Sequence, residues 1–436
     1  MSRPSISAPT PWTFPLPVSR VLDNGLRVTV CDLPGQHLAA VELVLPTPLE
    51  AEPRHLEGVA TVALHSSDEA TSSQPDIVEQ LELTAAAIGG NTSWNHTRLS
   101  LSAPTWRLRQ ALRLMASVVR EPSFEPSDVS HHAEAQVAAF ETSLASPSAV
   151  TQQTLRTALY GDWQREGRRL AGTPETLNAV DREAVQAWHA RVWHPRGAEL
   201  IIAGDLRENP EALTESFMTW QGPHQSPPEP SEATAQTPRF LLVDQPQAAQ
   251  TTIQMAAPIP GRRDNDWAAL KLGGHIMCGA FASRLNLELR ERLGYTYGVS
   301  GGANARQVSG LFRIGMAVDN SSAPEAIART LEALALPQPF TQEDVANSAH
   351  YLVQVAPLSY ETAADIAHQT AVLAAAGLGP EFVNQLHAAL ASTQAEHVNQ
   401  AWKRAVSPAT MTIAVGGPAA ILQPALEALG YDVDMA

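Results

Sequence analysis

Apolar positions along the chain follow two spacings, and the elements they predict recur in the same order in each half. Residues 26–32 (LRVTVCD) and 39–46 (AAVELVLP) read as strands, with turns at Asn24-Gly25 and Pro34-Gly35. Helical spacing follows at 58–70 (GVATVALHSSDEA) and at 74–89 (QPDIVEQLELTAAAIG), the second helix predicted to end at Gly89-Gly90. A strand at 97–104 (TRLSLSAP), long helical patterns from Arg107 to about Tyr160, and a strand at 198–206 (AELIIAGDL) complete the first half.

Residues 222–238 (GPHQSPPEPSEATAQTP) are rich in Pro, Ser and Thr and lack apolar periodicity, which predicts a semi-rigid linker. Beyond it the order repeats: strands at 240–244 and 251–258, helices at 267–281 and 283–294, strands at 295–301 and 310–318, further helices, and a closing strand at 411–417. Runs of strands followed by runs of helices predict an α+β fold of two homologous domains, each an antiparallel or mixed sheet with helices packed mainly on one face. The expected division is 1–221, a linker at 222–238, and 239–436.

Composition narrows the classes of function. A chain of 436 residues with 44% hydrophobic residues can bury large cores. With 29 basic against 45 acidic residues, its net charge of -16 sets the wrong field for nucleic acid or anionic membrane surfaces. Cys31 and Cys278 lie in apolar surroundings and read as buried thiols, which fits a reducing compartment. The first 20 residues hold no continuous apolar core of a signal peptide, and no segment is long and apolar enough to span a bilayer, so a cytoplasmic location is expected.

Several segments, in order along the whole chain, carry a family resemblance: LDNGLRVTV, Gly58-Val59-Ala60 before a helix, GGNTSWNHTRLSLSA, VWHPRGAELIIAGDL, DQPQAAQTTIQM and, most specific, GAFASRLNLELRERLGYTYGVSGG. They resemble the half-length subgroup of the pitrilysin/insulinase peptidases, which includes the mitochondrial processing peptidase and respiratory-complex core proteins. Active members carry H-x-x-E-H on the helix after the Gly-led turn, with a glutamate roughly 75 residues on as third zinc ligand. Histidines at i and i+4 share one helix face, and the intervening glutamate activates the zinc-bound water. On this chain the resemblance places those positions at Thr61, Leu64 and His65, with Glu141 or Ala139 at the distal one. One of the three motif residues is kept. A threonine hydroxyl is a poor zinc ligand, and Leu64 supplies no base, so the resemblance implies a zinc-free chain with no hydrolysis of its own.

Two clusters bring metal-ligand residue types together, His65-x-x-Asp68-Glu69 and His131-His132-x-Glu134. Helical His and Glu on an acidic surface are the commoner explanation of both. Trp188-His189 and Trp193-His194 resemble a region of that family that packs helix against strand, which implies core or boundary packing there. No G-x-S-x-G, P-loop or C-x-x-C context offers another chemistry.

In the second half Arg290 and Tyr297 match the arginine and tyrosine pair that the family's zinc-free half extends toward bound peptide, where guanidinium and phenol can bond the scissile region or its oxyanion. The bland alternative is a surface ion pair of Arg290 with Glu291 or Glu288, and Tyr297 as a core residue of a strand. By resemblance, the chain is the non-catalytic subunit of a heterodimeric zinc metallopeptidase. It would help enclose a peptide and supply Arg290 and Tyr297 to a homologous partner that carries H-x-x-E-H and the zinc. The other readings are a structural or binding homologue with no role in proteolysis, and a stand-alone peptidase with an unrecognised metal arrangement, against which Thr61 and Leu64 argue. A homodimer stays open.

Overall fold

A computed structural model describes residues 12–206, 209–222 and 232–436. The first sheet is built from β1 (Val18–Val21), β2 (Arg27–Asp32), β3 (Leu38–Leu45), β4 (Ala87–Thr92), β5 (Thr97–Pro104) and β6 (Glu199–Gly204). Its spatial order is β1-β2-β6-β3-β5-β4. The second contains β7 (Phe240–Asp244), β8 (Thr251–Ile259), β9 (Thr296–Ala305), β10 (Gly310–Val318), β11 (Thr412–Gly417) and β12 (Asp434–Met435), in the order β12-β7-β11-β8-β10-β9. Five strands correspond one to one. In each half the last long strand inserts between the first two long strands, parallel to one (β2 with β6, β7 with β11) and antiparallel to the other (β3 with β6, β8 with β11). The fold is therefore α+β, with two domains that each hold a mixed six-stranded sheet.

Most helices pack on one face of each sheet. Leu99, Leu101 and Ala103, alternating along β5, join Val41, Leu43 and Leu45 of β3 in the core under the helices of the first half. The opposite face takes a helix from the other half. The helix Ala363–Ala375, from the second half, lies across β3 and β6, where Ile366, Ala367 and Ala371 cover Ala40, Val44, Ile201 and Ala203. Reciprocally, the helix Pro147–Tyr160 crosses β8 and β11, with Leu155 and Leu159 over Ala256 and Ala414. Burial on both faces explains why β3 reads LAAVELVL, apolar almost throughout.

Most local readings hold; β4 and the short β12, which follows the strand expected to close the chain, were not expected. The turn at Asn24-Gly25 joins β1 to β2 with Gly25 at φ 90, where glycine has no steric penalty. Gly89-Gly90 does not end a helix. That helix spans Ile77–Leu83, Ala85 adopts φ 54, and the Ala86 N–H closes onto the carbonyl of Leu81, turning the chain into β4. Gly90 is small for a tertiary reason: a Cβ there would stand 2.4 Å from the carbonyl oxygen of Arg98 and 3.0 Å from a methyl of Leu64. The segment 222–238 expected to join the halves lies outside the described residues at 223–231.

Candidate functional site

The helix Val59–His65 starts on Gly58, whose φ of 101 suits a residue without a side chain. The amides of Gly58 and Ala60 both donate to Oε1 of Glu52 at 3.1 Å, and Arg165 clamps the other carboxylate oxygen at 2.7 Å. Glu57, between them in sequence, is held by Arg168. This buried lattice of two carboxylates and two guanidiniums fixes where the helix begins, and so where its side chains point.

Along that helix the metal-site positions are filled by other chemistry. Thr61 is buried and its hydroxyl shares a hydrogen bond of 3.0 Å with that of Thr92 on β4. Leu64 is 4% exposed and belongs to the hydrophobic core. His65 stacks on His132 of the helix Pro126–Leu144 with ring centroids 6.0 Å apart. Burial, then the neighbouring His132, pushes the His65 imidazole below its usual pKa. His132 in turn meets Glu69 at 2.8 Å, and His131 turns an exposed ring against it at 5.2 Å. Asp68 is pushed up to about 6 by burial. Glu134 accepts from Ser130 on its own helix at 3.2 Å.

Glu141 does not complete this group. It lies nine residues beyond His132 on the same helix, and about 100° per residue places it about 180° around from the face that meets His65. Ala139, seven residues beyond His132, falls on the His65 side. Among the described residues no group of three or more His, Cys, Asp or Glu is placed to hold a metal ion. A hydroxyl already bonded to its neighbour, an apolar side chain and one histidine do not fit a tetrahedral zinc site.

The remaining sequence candidates are packing residues. Trp188 and Trp193 are buried in the core, and His189 meets the carbonyl of Val119 at 2.9 Å and the edge of Phe124. Cys31 and Cys278 are free and buried, and burial pushes the Cys31 thiol up to about 11, which removes its nucleophilic form.

In the second half, two π-helical segments, His275–Gly279 and Asn286–Arg292, lie beside β9. Such i→i+5 turns are uncommon, and they often occur where a side chain must be re-aimed at a functional site. Arg290 lies in the second of them. Its guanidinium is 3.9 Å from the ring centre of Phe281, donates to the Phe281 carbonyl at 3.1 Å, and pairs with Glu291 at 2.8 Å. Tyr297 is 93% exposed near the start of β9, so it is no core residue.

The residue that holds this arrangement, Asn286, was not singled out by sequence reasoning. It is 3% exposed, and its amide bonds the carbonyls of Ala280 and Val299, the hydroxyl of Ser283 and the N–H of Val299. A polar residue inside an otherwise amphipathic helical run was the available signal. Next to Arg290, a cleft of about 500 Å³ is walled by Phe281, Leu287, Tyr351 and His275. His275 stacks on Tyr351 and shares a 2.7 Å hydrogen bond with Ser348. Phe281, Leu287 and Tyr351 are exposed around it, an apolar surface beside a guanidinium.

Two family models match the chain: Insulinase (Peptidase family M16) over residues 27–173, and Peptidase M16 inactive domain over residues 179–351. The chain is 25% identical over 284 residues to an uncharacterized zinc protease of Mycobacterium leprae, an alignment covering 64% of each chain. It is also 25% identical over 290 residues to one of Mycobacterium tuberculosis strain H37Rv, covering 65% of this chain and 66% of the relative. The match thus spans slightly less than two thirds of these relatives. Among solved structures, a peptidase M16 inactive domain from Pseudomonas fluorescens superposes with a TM-score of 0.85 at 21% identity, covering 92% of this chain and 98% of that one. A protease from Helicobacter pylori gives 0.83 at 14%, covering 93% and 100%. A chain of complex III2 from Candida albicans gives 0.79 at 12%, covering 94% and 99%.

Proposed function

From the premise that this chain belongs to the insulinase family of peptidases, M16, we propose that it is the zinc-free subunit of a heterodimeric metallopeptidase. The observation that carries this reading is the contrast between its two halves. In the first, the metal positions are replaced by residues that are already satisfied, Thr61 by its bond to Thr92 and Leu64 by the core. In the second, Arg290 is held in place by Phe281 and Glu291 beside an apolar cleft that Phe281 also walls, and Tyr297 stands exposed on the surface at the start of β9. A partner with H-x-x-E-H would contribute the zinc and the general base, and this chain a wall of the enclosure together with the guanidinium and phenol.

Extended peptide has a place to dock as well. β4 is the outer strand of the first sheet, with Ala87, Gly89 and Asn91 exposed, and a free strand edge can take up a peptide through main-chain hydrogen bonds. The pairing of Arg290 with Glu291 favours a second reading, a structural homologue with no part in proteolysis, because that guanidinium is already neutralised.

Mixing the chain with an H-x-x-E-H homologue and following a fluorogenic peptide separates the two. Cleavage that appears only in the mixture, and falls on the order of a hundredfold or more with Arg290→Ala or Tyr297→Phe while the dimer stays intact, supports the peptidase subunit. Turnover indifferent to both substitutions leaves the structural reading.

A further inference from the structure

The face of the second sheet that the helix Pro147–Tyr160 covers is not covered along its whole length. Beyond that helix a cavity of about 600 Å³ opens over β8, β9 and β10, within the range of about 300–1,000 Å³ usual for ligand sites. Its floor is made of small residues: Gly298 and Ser300 from β9, Gly315 and Ala317 from β10. Gly315 keeps the floor low, since a Cβ there would stand 3.1 Å from the amide of Gln254.

At the edge of this floor is Arg313, two residues before Gly315 on β10 and so on the same side of the sheet. The Arg313 side chain is half-buried and makes no hydrogen bond or ion pair among the described residues, in a chain where 45 acidic residues face 29 basic ones. Gln254 of β8 and Gln152 of the covering helix line the same cavity, and their amides are likewise without a hydrogen-bond partner among the described residues. Arg156 of the covering helix feels Arg313: burial lowers its pKa, Tyr160 and Glu166 oppose this, and Arg313 and Arg306 lower it further. Glu166 and Glu232, the carboxylates on this side, are engaged by Arg306. A half-buried guanidinium without a counter-ion, beside the amide of half-buried Gln254 and with exposed Gln152 at the rim, offers N–H donors over an open floor and no anionic partner for the charge.

We infer that this cavity is a binding site for the carboxylate of a peptide, with Arg313 as the bidentate donor and Gln254 and Gln152 as flanking donors. The inference rests on the reading that the chain encloses peptides. It adds a charge preference that the Arg290 and Tyr297 surface does not carry. The planar fork of arginine matches a carboxylate, and pairing it in a partly buried cleft gives a charge-assisted bond stronger than a neutral one.

Binding to the purified chain alone, by fluorescence anisotropy, tests it with three labelled peptides of one sequence: free C-terminal carboxylate, C-terminal amide, and C-terminal amide with one internal Gln changed to Glu. The expected result is that one or both carboxylate peptides bind at least about tenfold tighter than the plain amide. The arm that gains tells a chain terminus from an acidic side chain. Arg313→Gln should abolish that difference, and Arg313→Lys should restore part of it, with thermal melting as the folding control. Equal affinity for all three peptides, or a loss in Arg313→Gln that is the same for all three, would overturn the site, as would inorganic phosphate binding that leaves the peptides undisturbed. No partner or turnover enters this measurement. Carboxylate-dependent binding by a chain that supports no cleavage would sink the peptidase-subunit reading and keep the site. Cleavage that depends on Arg290, with no preference among the three peptides, would do the reverse.

Discussion

Asn286 and Val299 exchange two hydrogen bonds: the Val299 N–H donates to Oδ1 of Asn286 at 2.8 Å, and Nδ2 of Asn286 donates to the Val299 carbonyl at 3.0 Å. Because β9 is the outer strand of its sheet, this one side chain takes the place of a neighbouring strand at Val299. It also fixes the π-helical segment that carries Arg290 to the strand that carries Tyr297. Asn286→Ala removes both partners of a buried backbone pair and should lower stability by on the order of 2–3 kcal/mol, seen as a drop in the urea midpoint. A midpoint unchanged from the parent chain would mean that the helix is held elsewhere.

Tyr297 behaves oppositely. With 93% of its surface exposed, Tyr297→Ala should leave stability within about 0.5 kcal/mol of the parent. A large loss of stability would show that the residue serves the fold and would remove the reason to assign it to a bound peptide.

The metal position can be tested by rebuilding it. Thr61→His with Leu64→Glu restores H-x-x-E-H but leaves Glu141 on the far side of its helix, so this pair should hold zinc poorly. Adding Ala139→Glu places a carboxylate on the His65 side, and elemental analysis should then approach one equivalent. Placing Glu at the buried position 64 should cost about 2–4 kcal/mol of stability, so urea melts accompany the metal assay. Tight zinc in the double variant would show that Glu141 reaches the site after all.

Glu42 links the halves through charge. Its carboxylate lies 3.3 Å from Arg98, and Arg98 reaches His368 on the helix donated by the other half at 2.7 Å. Burial raises Glu42 to about 7, with Arg98 opposing. The raised value means that the folded state holds this proton more tightly than the unfolded one. Stability on this account is greatest below the unfolded value near 4.5 and declines as pH rises toward about 7. Glu42→Gln should therefore gain stability on the order of 1–3 kcal/mol at pH 8 relative to its effect at pH 4.5. A variant whose difference from the parent is the same at both pH values would show that Arg98 keeps the carboxylate ionised throughout.

We propose the division of the chain at 222–238, yet the exchanged helices make the halves dependent on one another. Expressed alone, 1–221 would present Ala40, Val44, Ile201 and Ala203 to water, and 239–436 would present Ala256 and Ala414. Each half alone should lack a cooperative melt and bind a hydrophobic dye, and the two co-expressed should recover the parent transition. A lone half that melts cooperatively would show that the covering helix is dispensable.

Several strands were legible to the residue. TRLSLSAP, FLLVD and GLFRIGMAV coincide with β5, β7 and β10 because period-two patterning and the flanking turn residues act locally. Gly89-Gly90 misled because glycine marks a helix end and a close approach alike; the Arg98 carbonyl and the Leu64 methyl that crowd Gly90 belong to other elements. Asn286 went unnoticed for a related reason, since its partner Val299 belongs to a different element.

What the sequence determined by itself was the order and type of most elements, their duplication, and the chemistry missing at Thr61 and Leu64, since side-chain identity and local periodicity need no partner to be read. What only the tertiary structure decided was direction and pairing. It alone put Glu141 on the side of its helix away from His65, covered each sheet with a helix of the other half, and left Arg313 facing an open floor. Those outcomes depend on which distant residues meet, and local spacing carries no record of that.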